Sequence, residues 1–266
     1  MIWLRSLIFN LCFFLWAVVL GSLGLPLLLL PRRAAVVLGR IWSCGTVWLL
    51  RHVVGLEHQL RGVDRVPQGA CIVAMKHQSA WDAVILSLAL DDPVPVVKRE
   101  LLRLPIYGWY MGRAGAIAID RRAGAAALRR MVAAARSAAA TGRPIVIFPQ
   151  GTRVAPGARL PYQPGVAALY RALALPLVPA AVNSGLFWGR RSFIKRPGRI
   201  VLEFLDPIPP GWRKRSLMTE LERRIETATA ALEAEAAPGS PAAAEPQASV
   251  RSGGRPRSNT DRATGA

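Results

Sequence analysis

The chain has 266 residues, a formal net charge of +19 and a hydrophobic content of 52%. This length can bury a substantial core, and so many apolar residues exclude a wholly disordered basic protein, because a disordered chain has too few of them to form a core. The three cysteines, Cys12, Cys44 and Cys71, are too widely spaced for a CxxC pair or a zinc-ligand cluster. The composition therefore indicates a reducing compartment, no structural metal, and a negatively charged partner such as nucleic acid or an anionic membrane.

The N-terminal segment favours the membrane. Residues 7–30 form an uncharged, almost wholly apolar run, which at about 1.5 Å per residue can cross a hydrocarbon layer of roughly 30 Å. Residues 34–50 are also apolar and are predicted as the return limb of a hairpin or as an interfacial helix. A secretory signal peptide is the alternative, but the first run exceeds the usual h-region of about 7–15 residues and no A-x-A-like cleavage site ends it. We predict a membrane-embedded anchor or hairpin over residues 1–56.

From about residue 57 onward, short runs rich in Val and Ile alternate with longer helical patterns, which is typical of an α/β domain. The predicted strands are 71–75, 94–97, 116–119, 145–148, 177–182 and 200–204, with a further short strand at His58. The predicted helices are 80–90, 123–140, 165–174 and 217–234. We therefore predict an α/β domain over 57–235, followed by a disordered tail over 236–266, which is rich in Pro, Gly, Ala and Ser.

His77 directly follows the first strand of this pattern, and Asp82 lies near the start of the helix after it. On one continuous helix these two side chains would diverge by roughly 140°, so they can meet only if His77 lies in the loop and Ser79 caps the helix. An aspartate bonded to one ring nitrogen leaves the other nitrogen free to act as a general base. The same three residues are also typical of an ordinary capped helix preceded by a loop histidine.

Candidate anion-binding groups follow three other predicted strands. The segment 148–153, FPQGTR, offers a glycine, a hydroxyl and a guanidinium to a phosphate. Lys98 and Arg121 stand just beyond two further strands. Because open α/β sheets bind ligands at the carboxyl ends of their strands, we expect these groups to converge at one edge.

Together these motifs resemble the glycerolipid acyltransferase family, most closely the 1-acyl-sn-glycerol-3-phosphate acyltransferases, over residues 57–210. Four ordered blocks carry the resemblance: the H-x4-D pair His77 and Asp82, the segment 97–121, the FPQGTR segment, and the segment 175–179. The resemblance implies a mixed sheet flanked by helices and preceded by membrane helices. Two residues depart from the family pattern: Gln150 stands where glutamate is common, and Lys76 stands where asparagine is common.

The resemblance also implies a reaction without metal or cofactor. A fatty acyl group would pass from acyl-CoA or acyl carrier protein to the sn-2 hydroxyl of lysophosphatidic acid, giving phosphatidic acid. His77 would act as the base and Asp82 would hold its ring. The implied substrate-binding residues are Lys98, Arg121, Gln150, Gly151, Thr152, Arg153 and Pro179, with the cations on the acceptor phosphate and Pro179 along the acyl path.

The expected partners are membrane lipids and the thioester donor, and not nucleic acid. The expected location is the inner or cytoplasmic membrane, with the catalytic domain facing the cytoplasm. The basic run 190–196, with Trp188 and Trp212, is predicted to face an anionic membrane surface.

Three alternatives remain open. Gln150 leaves room for another acceptor, such as a lyso-ornithine lipid or glycerol 3-phosphate. A hydrolase with Ser79 or Ser184 as nucleophile is disfavoured, because neither serine lies in a G-x-S-x-G elbow. A membrane-anchored nucleic-acid binder is also disfavoured, because the sequence has no Walker lysine, zinc pattern or RNA-binding aromatic motif.

Overall fold

The computed structural model of the chain describes residues 1–120 and 123–237. Two sequence predictions therefore fall wholly or almost wholly outside the described residues: the role of Arg121 and the disordered tail over 236–266.

The N-terminus folds as two packed helices. Helix α1 spans Ile2–Leu23 and helix α2 spans Arg32–Leu49, with a 3-10 turn at Leu25–Leu29 between them. The apolar run predicted as one segment is thus divided, because Pro26 cannot continue an α-helix. Helix α2 packs against α1, and a Cβ added at Gly45 would lie only 2.5 Å from the Trp16 ring. Helix α1 is long and apolar enough to cross a membrane, with a mean hydropathy of 2.1.

A seven-stranded sheet forms the centre of the α/β domain. Its strands are β1 (Leu56–Arg61), β2 (Ile72–Met75), β3 (Val94–Lys98), β4 (Ile117–Ile119), β5 (Ile145–Ile147), β6 (Leu177–Val182) and β7 (Gly198–Phe204), in the spatial order β1-β7-β6-β2-β5-β3-β4. In the series β6-β2-β5-β3-β4, each strand is parallel to its neighbours. Strands β6 and β7 are antiparallel, and β1 and β7 are parallel. The predicted mixed α/β sheet is confirmed.

The remaining helices are α3 (Trp81–Ala89), α4 (Tyr107–Ala114), α5 (Gly124–Ala139), α6 (Gly165–Leu173) and α7 (Lys214–Glu235). Four of them fall within a few residues of the predicted helices. Helix α4 was missed, since its sequence YGWYMGRA contains two glycines and gives no clear helical period.

Both faces of the sheet are covered. On one face Val73 of β2 shares an apolar cluster with Phe9 of α1 and Trp81 of α3, while on the other Ile72 packs with Met131 of α5. Strands β2, β5 and β6 are buried at every position. Their sequences are therefore continuous hydrophobic runs, as expected of parallel strands covered on both sides. The loops after the parallel strands β2, β3, β5 and β6 therefore meet at one edge, where the predicted site residues begin.

Candidate active site

His77 and Asp82 meet at this edge as the motif predicts. His77 lies in the loop after β2, Asp82 lies in the first turn of α3, and His77 Nδ1 is 2.8 Å from Asp82 Oδ2. With Nδ1 donating to the carboxylate, the neutral ring carries its lone pair on Nε2 and can accept a proton there.

The Asp82 carboxylate is fully buried and densely hydrogen-bonded. Its Oδ2 also accepts from the backbone N–H groups of Gln78 (2.7 Å) and Ser79 (2.8 Å). Its Oδ1 accepts from the hydroxyl of Ser184, in the loop after β6. These four bonds satisfy both carboxylate oxygens and fix the orientation of the acceptor that faces His77. The role of Ser184 was missed, because nothing local in the sequence connects positions 82 and 184.

The predicted cap at Ser79 is only partly formed, because Ala80 occupies the N-cap position of α3. The backbone N–H of Ser79 donates to Asp82, as in a capping box, and the Ser79 hydroxyl accepts from the backbone N–H of Trp81, two residues further along, at 3.1 Å. The histidine loop therefore ends at Ser79, and α3 begins two residues later. This arrangement places the Asp82 carboxylate within hydrogen-bonding distance of the His77 ring.

The FPQGTR segment lies directly against the histidine loop. The backbone N–H of Val154 donates to the carbonyl of His77 at 2.8 Å, and the Phe148 ring stacks on the imidazole with centroids 3.9 Å apart. Gly151 adopts a left-handed conformation with φ +69°, which glycine favours. Sequence reasoning missed Phe148 as the residue that sets the plane of the histidine ring.

The predicted substrate-binding residues divide into three groups. Gly151, Thr152 and Arg153 are partly exposed beside His77, and Lys98 is exposed at the end of neighbouring β3. Gln150 is buried, and its amide group donates to Glu226 of α7 at 3.1 Å. The third group is Pro179 alone, which is buried inside β6, three residues before the carboxyl end of that strand.

Lys76, which directly precedes His77 in the sequence, is held in a buried ion pair. Its ammonium forms an ion pair with Glu226, with Nζ 2.6 Å and 2.8 Å from the two carboxylate oxygens, and both side chains are buried. The phenol of Tyr162 donates to the same carboxylate at 2.9 Å; burial, and then the negative charge of Glu226, raise the pKa of Tyr162. The charge of Lys76 is therefore compensated by a residue 150 positions away.

The basic run 190–196 only partly fits its predicted outward orientation. Trp188 and Lys195 are buried against α1, and Lys195 Nζ donates to Asn10 at 2.7 Å. Burial lowers the pKa of Lys195 to about 8. Trp188 and Lys195 therefore hold the loop between β6 and β7 against α1. Arg190, Arg191, Arg196 and Trp212 remain exposed.

The chain is similar to known acyltransferases. The acyltransferase family model matches residues 57–183. The 1-acyl-sn-glycerol-3-phosphate acyltransferase of Pseudomonas aeruginosa is 31% identical over 250 residues, covering 93% of this chain and 97% of the relative. The enzyme of the same name from Limnanthes alba is 30% identical over 195 residues, covering 73% and 67%.

The fold has a counterpart among solved structures. The crystal structure of the 1-acyl-sn-glycerophosphate (LPA) acyltransferase from Thermotoga maritima superposes with a TM-score of 0.72 at 20% identity, covering 87% of this chain and 95% of that one.

Proposed function

This chain belongs to the acyltransferase family, and from that premise we propose that it transfers a fatty acyl group from acyl-CoA or acyl carrier protein to the sn-2 hydroxyl of 1-acyl-glycerol 3-phosphate. The product is phosphatidic acid, a precursor of phospholipids. The observation that carries the proposal is the His77–Asp82 hydrogen bond of 2.8 Å, at the sheet edge where the FPQGTR segment joins the histidine loop. The two relatives described above carry this activity in their names.

The geometry supports direct transfer. Nε2 of His77 removes the proton of the acceptor hydroxyl while the hydroxyl oxygen bonds to the thioester carbonyl carbon. The tetrahedral intermediate then expels the thiolate, which takes the proton back from the imidazolium, leaving an ester and a free thiol. Asp82 stabilises the imidazolium throughout, and the proposed reaction uses no metal or organic cofactor.

The acceptor phosphate is proposed to bind Gly151, Thr152 and Arg153, with Lys98 and Arg121 adding positive charge. A guanidinium and a hydroxyl beside a glycine with positive φ suit a phosphate. Pro179 is proposed to shape the sheet that borders the acyl path.

A hydrolytic reaction has less geometric support. The hydroxyl of Ser184 donates to Asp82, and the hydroxyl of Ser79 accepts from the helix terminus. Both candidate nucleophiles are therefore used in holding the aspartate and its helix.

We propose that the protein is held at the cytoplasmic membrane by α1, with the catalytic domain on the cytoplasmic side. Helix α1 exposes a long series of large apolar side chains, including Leu11, Phe14 and Leu15, each more than 60% exposed. Because the acceptor and the product both reside in a bilayer, a tethered enzyme can act on the headgroup layer without extracting lipid.

An acceptor panel tests the proposal. Purified protein in mixed micelles is given lysophosphatidic acid, glycerol 3-phosphate, lyso-ornithine lipid or no acceptor, each with long-chain acyl-CoA or acyl carrier protein, while thiol release and lipid product are followed together. We expect phosphatidic acid to form with lysophosphatidic acid as the acceptor, and no acylated product to form with the other acceptors. Acylation of a different acceptor would overturn the phosphate-binding assignment, and thiol release without lipid product would indicate hydrolysis.

A further inference from the structure

Both residues that flank His77 reach the C-terminal helix. The Lys76 ammonium binds Glu226, and the Gln78 amide nitrogen donates to Glu233 at 2.6 Å. His77 itself turns the other way, toward Asp82. Glu226 and Glu233 are seven residues apart, which is two helical turns, so they lie on the same face of α7. One face of α7 thus holds the histidine loop on both sides of the proposed base.

The same two carboxylates also hold the segment that follows β5. Glu226 accepts from the Gln150 amide at 3.1 Å, and Glu233 accepts from the backbone N–H of Gly157 at 3.0 Å. Each glutamate therefore bridges one group of the histidine loop and one group of the segment that follows β5. The distance between these two loops depends on α7.

The burial of the Lys76–Glu226 pair argues for a positional role. The two side chains are only 1% and 8% exposed. Replacing a buried ion pair with well-packed apolar side chains is often neutral or even stabilising, so stability by itself gives little reason for such a pair. Its hydrogen bonds instead impose one arrangement on groups that an apolar contact would leave free to shift.

Gln150 gives this arrangement a further feature. Its amide nitrogen, the Lys76 ammonium and the Tyr162 hydroxyl all contact the same oxygen of Glu226. The end of the side chain at position 150 is one hydrogen bond away from the Glu226 carboxylate. A carboxylate at position 150 would therefore lie close to the site of the Glu226 carboxylate. The buried carboxylate beside position 150 is thus supplied from α7.

We propose that α7 is a positioning element of the acyl-transfer site, in which Glu226 and Glu233 set the histidine loop against the phosphate-binding segment. The proposal rests on the proposed function. Neither glutamate touches the reacting atoms. Glu226 acts through Lys76 and Gln150, and Glu233 acts through Gln78 and Gly157.

The test moves the buried carboxylate from position 226 to position 150. The variant Glu226→Gln removes the charge and leaves Lys76 unpaired, while the double variant Gln150→Glu with Glu226→Gln restores one carboxylate beside Lys76. The matched control is Glu235→Gln on the same helix. The Glu235 carboxylate accepts a hydrogen bond from Arg61 of β1 at 2.6 Å, and this pair lies away from the histidine loop. All are assayed for kcat and for the KM of acceptor and donor.

Glu226→Gln is expected to lower kcat about tenfold or more, because small displacements of a catalytic group are costly, with the donor KM within about threefold of wild type. The double variant is expected to recover to within about threefold of the wild-type kcat, and Glu235→Gln to match the wild type. A folded Glu226→Gln protein with wild-type kcat, or a folded double variant no better than the single one, would overturn the proposal.

Glu233→Ala keeps the proposal testable if the Glu226 variants do not fold, because Glu233 is partly exposed and leaves no buried charge behind. It is expected to lower kcat while hydrogen exchange speeds up at residues 76–80 and 155–158. Unchanged kcat and unchanged exchange would overturn the proposal. If the wild type acylates no acceptor, the proposed function fails, and the exchange measurement alone still decides whether α7 holds the two loops.

Discussion

Asp82 is the residue through which the separate loops of the site are joined. It receives hydrogen bonds from His77, from two backbone N–H groups of the histidine loop, and from Ser184 across the sheet edge. A buried carboxylate whose two oxygens are both held by hydrogen bonds is fixed in one orientation. The orientation of the His77 ring, and hence the direction of Nε2, is therefore set by the contacts of Asp82.

His77→Ala and Asp82→Asn are expected to lower kcat by about 10²- to 10⁴-fold, the usual contribution of positioned base catalysis. The first removes the base, and the second replaces the carboxylate that stabilises the imidazolium. Steady-state kinetics in mixed micelles measures both, with the amount of protein in the membrane fraction as the control for folding. Near-wild-type turnover by His77→Ala would exclude it as the base.

Ser184→Ala is expected to lower kcat several-fold and to leave transfer measurable, because Ser184 orients Asp82 and does not react. The loss of a hydrogen bond to a buried carboxylate costs about 1–3 kcal/mol of unfolding free energy. Thermal unfolding and kinetics are measured beside Ser137→Ala, an exposed serine on α5. Complete loss of thiol release in a folded Ser184→Ala protein would instead favour a serine nucleophile.

At the scale of elements, the hairpin is fixed to the catalytic domain at the edge opposite the site. Arg32, at the start of α2, pairs with Asp92 at 2.6 Å, and Arg143 pairs with the same carboxylate at 3.0 Å. Asp92 and Arg143 precede β3 and β5, so the three residues lie near the amino ends of those strands. This triad joins the N-terminal pair of helices to two loops of the sheet.

The triad makes stability dependent on pH. Burial alone would raise the pKa of Asp92, but hydrogen bonds and charge from Arg32 and Arg143 lower it below the ordinary value of 3.8. A carboxyl group with a lowered pKa in the folded state contributes stability above its ordinary pKa, and this contribution is lost as the pH falls through the lowered value.

Asp92→Asn is expected to reduce the unfolding free energy at pH 7 by about 1 kcal/mol, a modest value because the pair is partly exposed and screened. The difference from wild type should shrink below pH 4, where the wild-type carboxylate itself becomes protonated. Thermal unfolding across pH 3–8 measures this change. A difference that stayed constant over the whole range would contradict an electrostatic origin.

In the whole molecule, α1 has two surfaces. Phe9 and Ser6 are buried against the domain, whereas Leu11 and Leu15 are each more than 60% exposed. The predicted boundary near residue 56 therefore separates two parts of the sequence that share one core. Removing α1 would expose that core as well as remove the proposed membrane anchor.

Leu11→Asp with Leu15→Asp is expected to release the protein from membranes while preserving its fold, because each charge costs about 3 kcal/mol near the centre of a spanning helix. Phe9→Asp should instead destabilise the domain, since Phe9 is fully buried. Membrane fractionation and thermal unfolding distinguish the two. Full membrane retention of the double variant would argue against α1 as the anchor.

Local patterns in the sequence determined most of the secondary structure and the central pair of the site. Alternation and apolar runs identified the strands, and the spacing from His77 to Asp82, with Ser79 between, required the loop and cap that the structure has. These features depend on residues a few positions apart, where propensity and capping chemistry act directly.

Only the tertiary structure decided the partners that come from distant positions. Ser184 reaches Asp82, Glu226 neutralises Lys76, and Lys195 docks on α1, each across more than 100 residues. No periodicity connects such positions, because their proximity follows from the strand order β6-β2-β5 and from where α7 and α1 pack on the sheet. The sequence determined the His77–Asp82 pair by itself. The folded chain determined what surrounds and orients that pair, since buried charges and hydrogen bonds find their partners only through packing.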